Sequence, residues 1–259
     1  MAITLRSRRE IELMRQAGAV VAQVLSQLKE MAEPGVSTGE LDRVATRMTA
    51  EAGAQPLFKG VRSPHTPRAF PGVICASVNH EVVHGIPSDR TILREGDILS
   101  LDFGVRLKGY CGDAAITVGI GRTSADRQRL MQVTREVLEI AVAEARPRVR
   151  WSQIAGKMQR YAEESGFGVV RDFVGHGIGT QMHEDPKVPN FVSPELLAED
   201  IVLAEGMVLA IEPMINAGGV AVRTAGNGWT VVTVDGCCSA HFEHTVAITP
   251  AGCDVLTVN

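Results

Sequence analysis

The sequence predicts an α+β fold built around an antiparallel sheet, and three observations carry that expectation. Helical and strand-like stretches come in groups instead of alternating one for one, which argues against a parallel sheet. Two strand-like runs, at 97–105 and 112–120, flank a turn containing Lys108-Gly109 and read as a hairpin. A string also recurs: Leu93-Arg94-Glu95-Gly96-Asp97-Ile98-Leu99-Ser100-Leu101-Asp102 is echoed by Leu203-Ala204-Glu205-Gly206-Met207-Val208-Leu209-Ala210-Ile211-Glu212. A Val-x-His-Gly-Ile string precedes each copy, at 82–86 and 174–178. Each half thus offers a His-Gly-Ile, a strand closing on a carboxylate, and a second acidic strand marked by Asp113 or Glu243. We expect one domain, 1–259, whose halves (about 1–122 and 123–259) repeat and share a central site.

Along the chain, Ile11, Met14, Val21, Leu25 and Leu28 recur at helical spacing and predict an amphipathic helix over 8–32, stopped by Pro34-Gly35. Arg6, Arg8 and Arg9 read as its solvated start. Ser37 followed by Glu40 is a capping box that opens a second helix, ending near Gly53. Two further helices are expected over 125–145 and 153–165. A short one starts at Ser193-Pro194, with serine as cap and proline in the first helical position. Strands at 207–211, 229–234 and 241–248 complete the reading.

Composition narrows the function. Hydrophobic residues are 45% and charged residues 22%, enough for a sizeable core. The net charge of -4 offers no basic field for nucleic acid. No apolar run approaches the ~20 residues of a spanning helix, and the start MAITLRSRREIELM lacks the pattern of a signal peptide. Five cysteines, with Cys237 and Cys238 adjacent and no CxxC pair, suggest reduced thiols in a cytoplasmic protein. A metal site would then draw on His, Asp and Glu.

Asp102 interrupts an apolar run, and aspartate is disfavoured inside strands. A buried, unpaired carboxylate needs a cation or strong donors. On paired strands Asp102 and Asp113 can share a face; the bland alternative is that one caps a turn and the other meets an arginine or backbone amides. Glu212 and Glu243 pose the same problem. Four acids converging on one site repel one another unless cations lie between them. With one imidazole they form an oxygen-rich set for a pair of divalent ions such as Mn, Fe(II), Co or Zn. His176, among Gly175, Gly177 and Gly179, is the candidate imidazole. His84 holds the equivalent repeat position, and His183 follows His176 closely. His65, His80, His241 and His244 read as structural or solvated. The glycines around His176 are no dinucleotide fingerprint, since Thr180 stands where the third glycine belongs. No Walker A, HExxH or GxSxG string occurs.

Taken together, Val83-His84-Gly85-Ile86-Pro87, Asp102, Gly112-Asp113, Gly175-His176-Gly177-Ile178-Gly179, His183-Glu184-Asp185-Pro186, Glu212-Pro213-Met214 and Phe242-Glu243-His244-Thr245 resemble the type I methionine aminopeptidases. The resemblance spans nearly the whole chain. It implies a pita-bread fold, with two related halves around a dinuclear centre. It implies metal ligands at Asp102, Asp113, His176, Glu212 and Glu243, and substrate-contacting histidines at His84 and His183. The implied reaction is removal of an initiator methionine before a small second residue by a dinuclear metal-activated hydroxide. Glu212 would serve as general base, and His183 would help stabilise the oxyanion. Ala2 would itself satisfy the small-residue rule. Only residues 184–211 lie between His183 and Glu212, which leaves no room for the helical insertion of type II enzymes.

Residues 67–70 depart from the family pattern: Phe70 and Cys75 are retained, but a tyrosine and a histidine are lost. Met182 stands where phenylalanine is common, and Trp229 keeps its place. Phe70, Cys75, Met182 and Trp229 are the candidates for an apolar methionine pocket, with ordinary core as the alternative. The implied partners are N-terminal Met peptides and nascent proteins, with ribosome contact left open, no nucleic acid, no membrane and a monomeric state. Two rivals stay open. One is a proline-specific peptidase of the same fold, which usually carries a further N-terminal domain. The other is an inactive binding module, which should have lost ligands.

Overall fold

The structure is a computed structural model describing residues 3–63 and 66–258, so Ala2 and His65 lie outside the described residues. Its helices begin where side chains satisfy the free amides of a first turn. Helix α1 (Arg8–Met31) opens on a capping box of Ser7 with Glu10, and α2 (Thr38–Glu51) on the expected box of Ser37 with Glu40. Ser124 caps α3 (Ala125–Glu144), and Ser193 caps the short α5 (Pro194–Ala198). Helix α4 (Trp151–Glu164) starts two residues before the expected 153 and has no side-chain cap. Asp200 serves from a distance instead, its Oδ1 accepting the first-turn Ser152 N–H at 3.0 Å, and Trp151 is fully enclosed with its indole N–H donating to the Pro189 carbonyl at 2.7 Å.

In chain order the strands are β1 (Gln55–Pro56), β2 (Cys75–Val78), β3 (Glu81–Val83), β4 (Ile98–Leu107), β5 (Tyr110–Gly119), β6 (Gly168–Val169), β7 (Gly175–Gly177) and β8 (Glu184–Val188). They continue with β9 (Val208–Ile211), β10 (Met214–Asn216), β11 (Val222–Thr224), β12 (Val231–Thr233), β13 (Ser239–His241), β14 (Glu243–Thr249) and β15 (Gly252–Val255). The main sheet runs β1-β4-β5-β14-β9-β7-β8, with β2 also on β4 and β15 also on β14. All its recorded pairings are antiparallel. The β4–β5 hairpin turns through Lys108 and Gly109, both at positive φ (51° and 87°), the geometry of a two-residue turn that matches strand twist. The stretch expected as one strand over 241–248 is divided: His241 ends β13 on β10, and Glu243 begins β14 on β5 and β9.

Two apolar layers flank this sheet. One, with Val21, Leu28, Leu41 and Phe103, lies against α1 and α2. The other, with Leu130, Val137, Trp151 and Met158, lies against α3 and α4. Helix α1 sits unusually close to β5, because a Cβ on Gly112 would come within 2.8 Å of the Gly18 nitrogen. No helix among the described residues is long and apolar enough to cross a membrane.

Candidate active site

Strand register builds the site. Residues directly opposed in an antiparallel ladder point to the same side of the sheet. Cys75 opposes Asp102, Asp102 opposes Ala115, and Ala115 opposes Glu243, which makes one row across β2, β4, β5 and β14. Ile211 opposes His244, so Glu212, one residue further, falls level with Glu243. A neighbouring row on the same face begins with Gly104 opposite Asp113 and continues with Thr245 opposite Ala210 and Ala210 opposite His176. Ligand-type side chains therefore alternate with the small residues Ala115, Gly104 and Ala210. Gly104 has to be small, since a Cβ there would come within 2.8 Å of Asp113 Oδ1.

Strands β5 and β14 share only two paired positions, Glu243–Ala115 and His244–Ala114. Beyond each end a threonine hydroxyl stands in for the ladder. The Asp113 N–H donates to Thr245 Oγ1 at 3.0 Å, and that hydroxyl donates to the Asp113 carbonyl at 2.8 Å. At the other end the His241 N–H donates to Thr117 Oγ1 at 2.9 Å, and Thr117 donates to the His241 carbonyl at 2.8 Å.

The glycines flanking His176 serve close packing. A Cβ on Gly175 would collide with the Ala210 carbonyl, and one on Gly177 with that of Asp185. His176 Nδ1 lies 2.9 Å from the Gly177 carbonyl. That contact favours the tautomer with the proton on Nδ1 and leaves Nε2 free as a ligand. His183 stacks edge-on at 4.4 Å between ring centroids. His84, at φ 58°, packs edge-on against Phe173.

Ligand atoms of Asp113, His176 and Glu243 lie within 4.8 Å of one another. Glu212 adjoins them, its Oε1 3.6 Å from His176 Nε2. Asp102 Oδ1, Asp113 Oδ1 and Glu243 Oε1 are buried with no hydrogen-bond partner among the described residues. Burial raises the Asp102 carboxyl to about 7. Burial, reinforced by the neighbouring acids, holds Asp113, Glu212 and Glu243 well above the ordinary carboxylate range. Burial also lowers His176 and His84 to about 4 and depresses His183, so these imidazoles are neutral at physiological pH. Orphaned carboxylate oxygens beside a neutral imidazole are a donor set that divalent cations satisfy. The residues fit a metal.

Beside this centre, Phe70, Cys75, Met182 and Trp229 join one small apolar cluster. The rings of Phe70 and Trp229 meet edge-on at 5.3 Å, and the Trp229 indole N–H donates to the Arg68 carbonyl at 2.9 Å. Phe58 and Ile86 belong to the same cluster; Phe58 stands in no motif, and Ile86 lies in the His84 string, where nothing local marks it as a pocket residue. His241, grouped by its sequence with structural or solvated histidines, is buried and aims Nε2 toward Glu212 Oε2 at 3.8 Å. Its signal was available: alternation through 241, 243 and 245 puts it on the carboxylate face. His244 is structural, with Nδ1 on the Thr257 hydroxyl at 2.9 Å. Arg6 corrects the expectation of a solvated helix start. Its side chain is 7% exposed and ion-pairs with Glu184, because the chain before α1 runs over the turn that carries His183.

Fold and site together define a metal-dependent hydrolase on a pita-bread sheet. The chain belongs to metallopeptidase family M24, whose profile matches residues 12–250, and within that family to the methionine aminopeptidases. It is 48% identical to methionine aminopeptidase 1 of Bacillus subtilis (strain 168), over 98% of this chain and 99% of the relative. The crystal structure of methionine aminopeptidase from Thermotoga maritima superposes with a TM-score of 0.93 at 40% identity, covering 100% of both chains. The prolidase of Pyrococcus furiosus shares the fold alone, with a TM-score of 0.75 at 21% identity, over 98% of this chain and 65% of that one.

Proposed function

We propose that the chain releases the N-terminal methionine from peptides and nascent proteins whose second residue is small. One observation carries this reading: a row of buried carboxylates, unpartnered among the described residues, with a neutral imidazole borders a soft apolar cluster. Asp102, Asp113, His176, Glu212 and Glu243 would hold two divalent ions. Such ions supply Lewis-acid polarisation of a carbonyl and a water nucleophile at neutral pH.

The chain's own residues do the rest. Phe70, Cys75, Met182 and Trp229 receive the methionine side chain, a flexible thioether suited to aromatic and sulfur neighbours. His183 and His84, neutral through burial, donate hydrogen bonds to the substrate around the scissile bond and support charge developing on its oxygen. Glu212, buried beside His176 and His241, accepts the proton released by the attacking water. We read the chain as one catalytic domain with repeated halves, about 1–122 and 123–259, acting as a monomer in the cytoplasm.

The experiment is methionine release from Met-Ala-Ser by metal-stripped protein, with Co(II), Mn(II), Fe(II) or Zn(II) returned one at a time. An Xaa-Pro dipeptide and His176→Ala run alongside. Metal-dependent release from the Met peptide, lost in His176→Ala, is expected. Cleavage of the Xaa-Pro substrate instead would move the chain to the proline-specific reading.

A further inference from the structure

A cation placed before a helix has no reason to be buried, and desolvating a guanidinium costs several kcal/mol unless its partners are well placed. Arg8 and Arg9 behave accordingly and are exposed. Arg6 does not. Its guanidinium ion-pairs with Glu184, lies 3.6 Å from Glu10 Oε1, and occupies the space where a side chain on Gly179 would stand. The Arg6 backbone is fixed as well, its N–H donating to the Gly206 carbonyl at 2.7 Å.

Glu184 ties this arginine to the site. Its Oε1 accepts the Gln181 N–H at 3.0 Å and the Thr180 hydroxyl at 3.3 Å, while Oε2 takes Arg6. The carboxylate thereby closes the turn over 179–184 from within. The far end of that turn is pinned where the Cys111 N–H donates to the Gly179 carbonyl at 2.8 Å. His183 is the residue before Glu184, and its ring sits 4.4 Å from His176.

We propose that Arg6 is a positioning residue of the active site: through Glu184 it fixes the 179–184 turn and aims the His183 imidazole. The proposal rests on the reading of His183 as a donor to the substrate. Partners that orient a catalytic group from behind typically change activity 10- to 100-fold when removed, and that is the loss expected in kcat.

The test uses Mn(II)-loaded full-length protein and Met-Ala-Ser. Arg6→Met keeps the aliphatic stem and removes the ion pair, Arg6→Lys keeps the charge, and Glu184→Gln breaks the same link from the turn side. Arg6→Met and Glu184→Gln are expected to lower kcat with KM little changed, and Arg6→Lys to recover part of the loss. Amide exchange at Gln181 should accelerate in both deficient variants while α3 and α4 keep their protection. In a His183→Ala background, Arg6→Met should cost nothing further in kcat. An equal loss in that background, or unchanged kcat and exchange in Arg6→Met and Glu184→Gln, overturns the proposal. If His183→Ala alone retains parental kcat, the reading of His183 has failed. The positioning role then falls with it, although Gln181 exchange still shows whether Arg6 orders the turn.

Discussion

Replacing Thr245 by valine keeps the side-chain shape and removes one oxygen from the centre of the sheet. The residue is fully buried, so no water can take over its role. Its hydroxyl satisfies both the N–H and the C=O of Asp113, at 3.0 and 2.8 Å. Leaving a buried polar group unsatisfied costs about 1–3 kcal/mol. Two such groups suggest a loss of about 2–4 kcal/mol once partial relaxation is allowed for. Thr245→Ser is the control, because it keeps the oxygen and sacrifices one methyl group, worth about 1 kcal/mol. Urea denaturation of Mn(II)-loaded and metal-stripped protein gives the stabilities, and calorimetric titration gives Mn(II) affinity. Valine should be the more damaging change in both assays, since an untethered Asp113 strand no longer presents its carboxylate to the metal. A valine variant as stable as the serine variant, with undiminished Mn(II) affinity, refutes the claim that this hydroxyl completes the ladder.

Two further outcomes follow from the same geometry. In metal-stripped protein the raised carboxyls bind protons in the folded state that the unfolded chain has released above its ordinary carboxylate pKa of about 4. Their contribution is therefore fully present below about pH 4 and is lost as pH rises through the folded values, about 7 for Asp102. The buried histidines act in the opposite sense only up to their unfolded pKa of about 6.5. Thermal unfolding should therefore show the stripped protein losing stability between about pH 6.5, where the histidines cease to oppose, and the folded value of Asp102, about 7, with Mn(II) restoring it; a stripped protein that gains stability across that window contradicts this. Trp229→Phe removes the hydrogen bond to the Arg68 carbonyl while keeping an aromatic face toward Phe70. Losing about 1 kcal/mol of ordering should raise KM for Met-Ala-Ser roughly fivefold with kcat little changed, and an unaltered KM would separate residues 67–70 from the pocket.

What the sequence disclosed depended on range. The Ser37–Glu40 cap, the Lys108-Gly109 turn and the carboxylates in apolar strands are local patterns, and all were legible. Strands of two to five residues such as β6, β7 and β10 are too short for alternation to register, and they exist because neighbours pair with them. The division at Phe242 was hidden for the same reason, since both pieces read as one apolar alternation until β10 and β5 claim opposite ends. Arg6 was misread because its partner lies far along the chain: an arginine before a helix looks solvated unless Glu184 is known to sit against it. The pocket was half visible. Cys75, Trp229 and their partners stood in recognisable places, whereas Phe58 looks like any other apolar residue and Ile86, although inside the His84 string, has no pocket signal of its own.

The devices that fix register all fall on strands carrying candidate ligands, and this follows from what a slip would do. Moving one strand by a single residue exchanges its two faces. On β4 or β5 it would drive Asp102 or Asp113 into the apolar layer against α1 and α2, exchanging a carboxylate for a neighbour such as Phe103 or Ala114. The tight turn at Lys108-Gly109 prevents this on the hairpin. The threonine hydroxyls prevent it where β5 and β14 hold only two pairs, and the missing side chains of Gly175 and Gly177 let β7 seat between β8 and β9. In the absence of cations the buried acids escape mutual repulsion only by holding protons, and so contribute nothing to these constraints. The sheet must therefore hold its register by hydrogen bonding and packing alone before a metal arrives, which makes Thr117 and Thr245 as necessary to the site as the carboxylates they align.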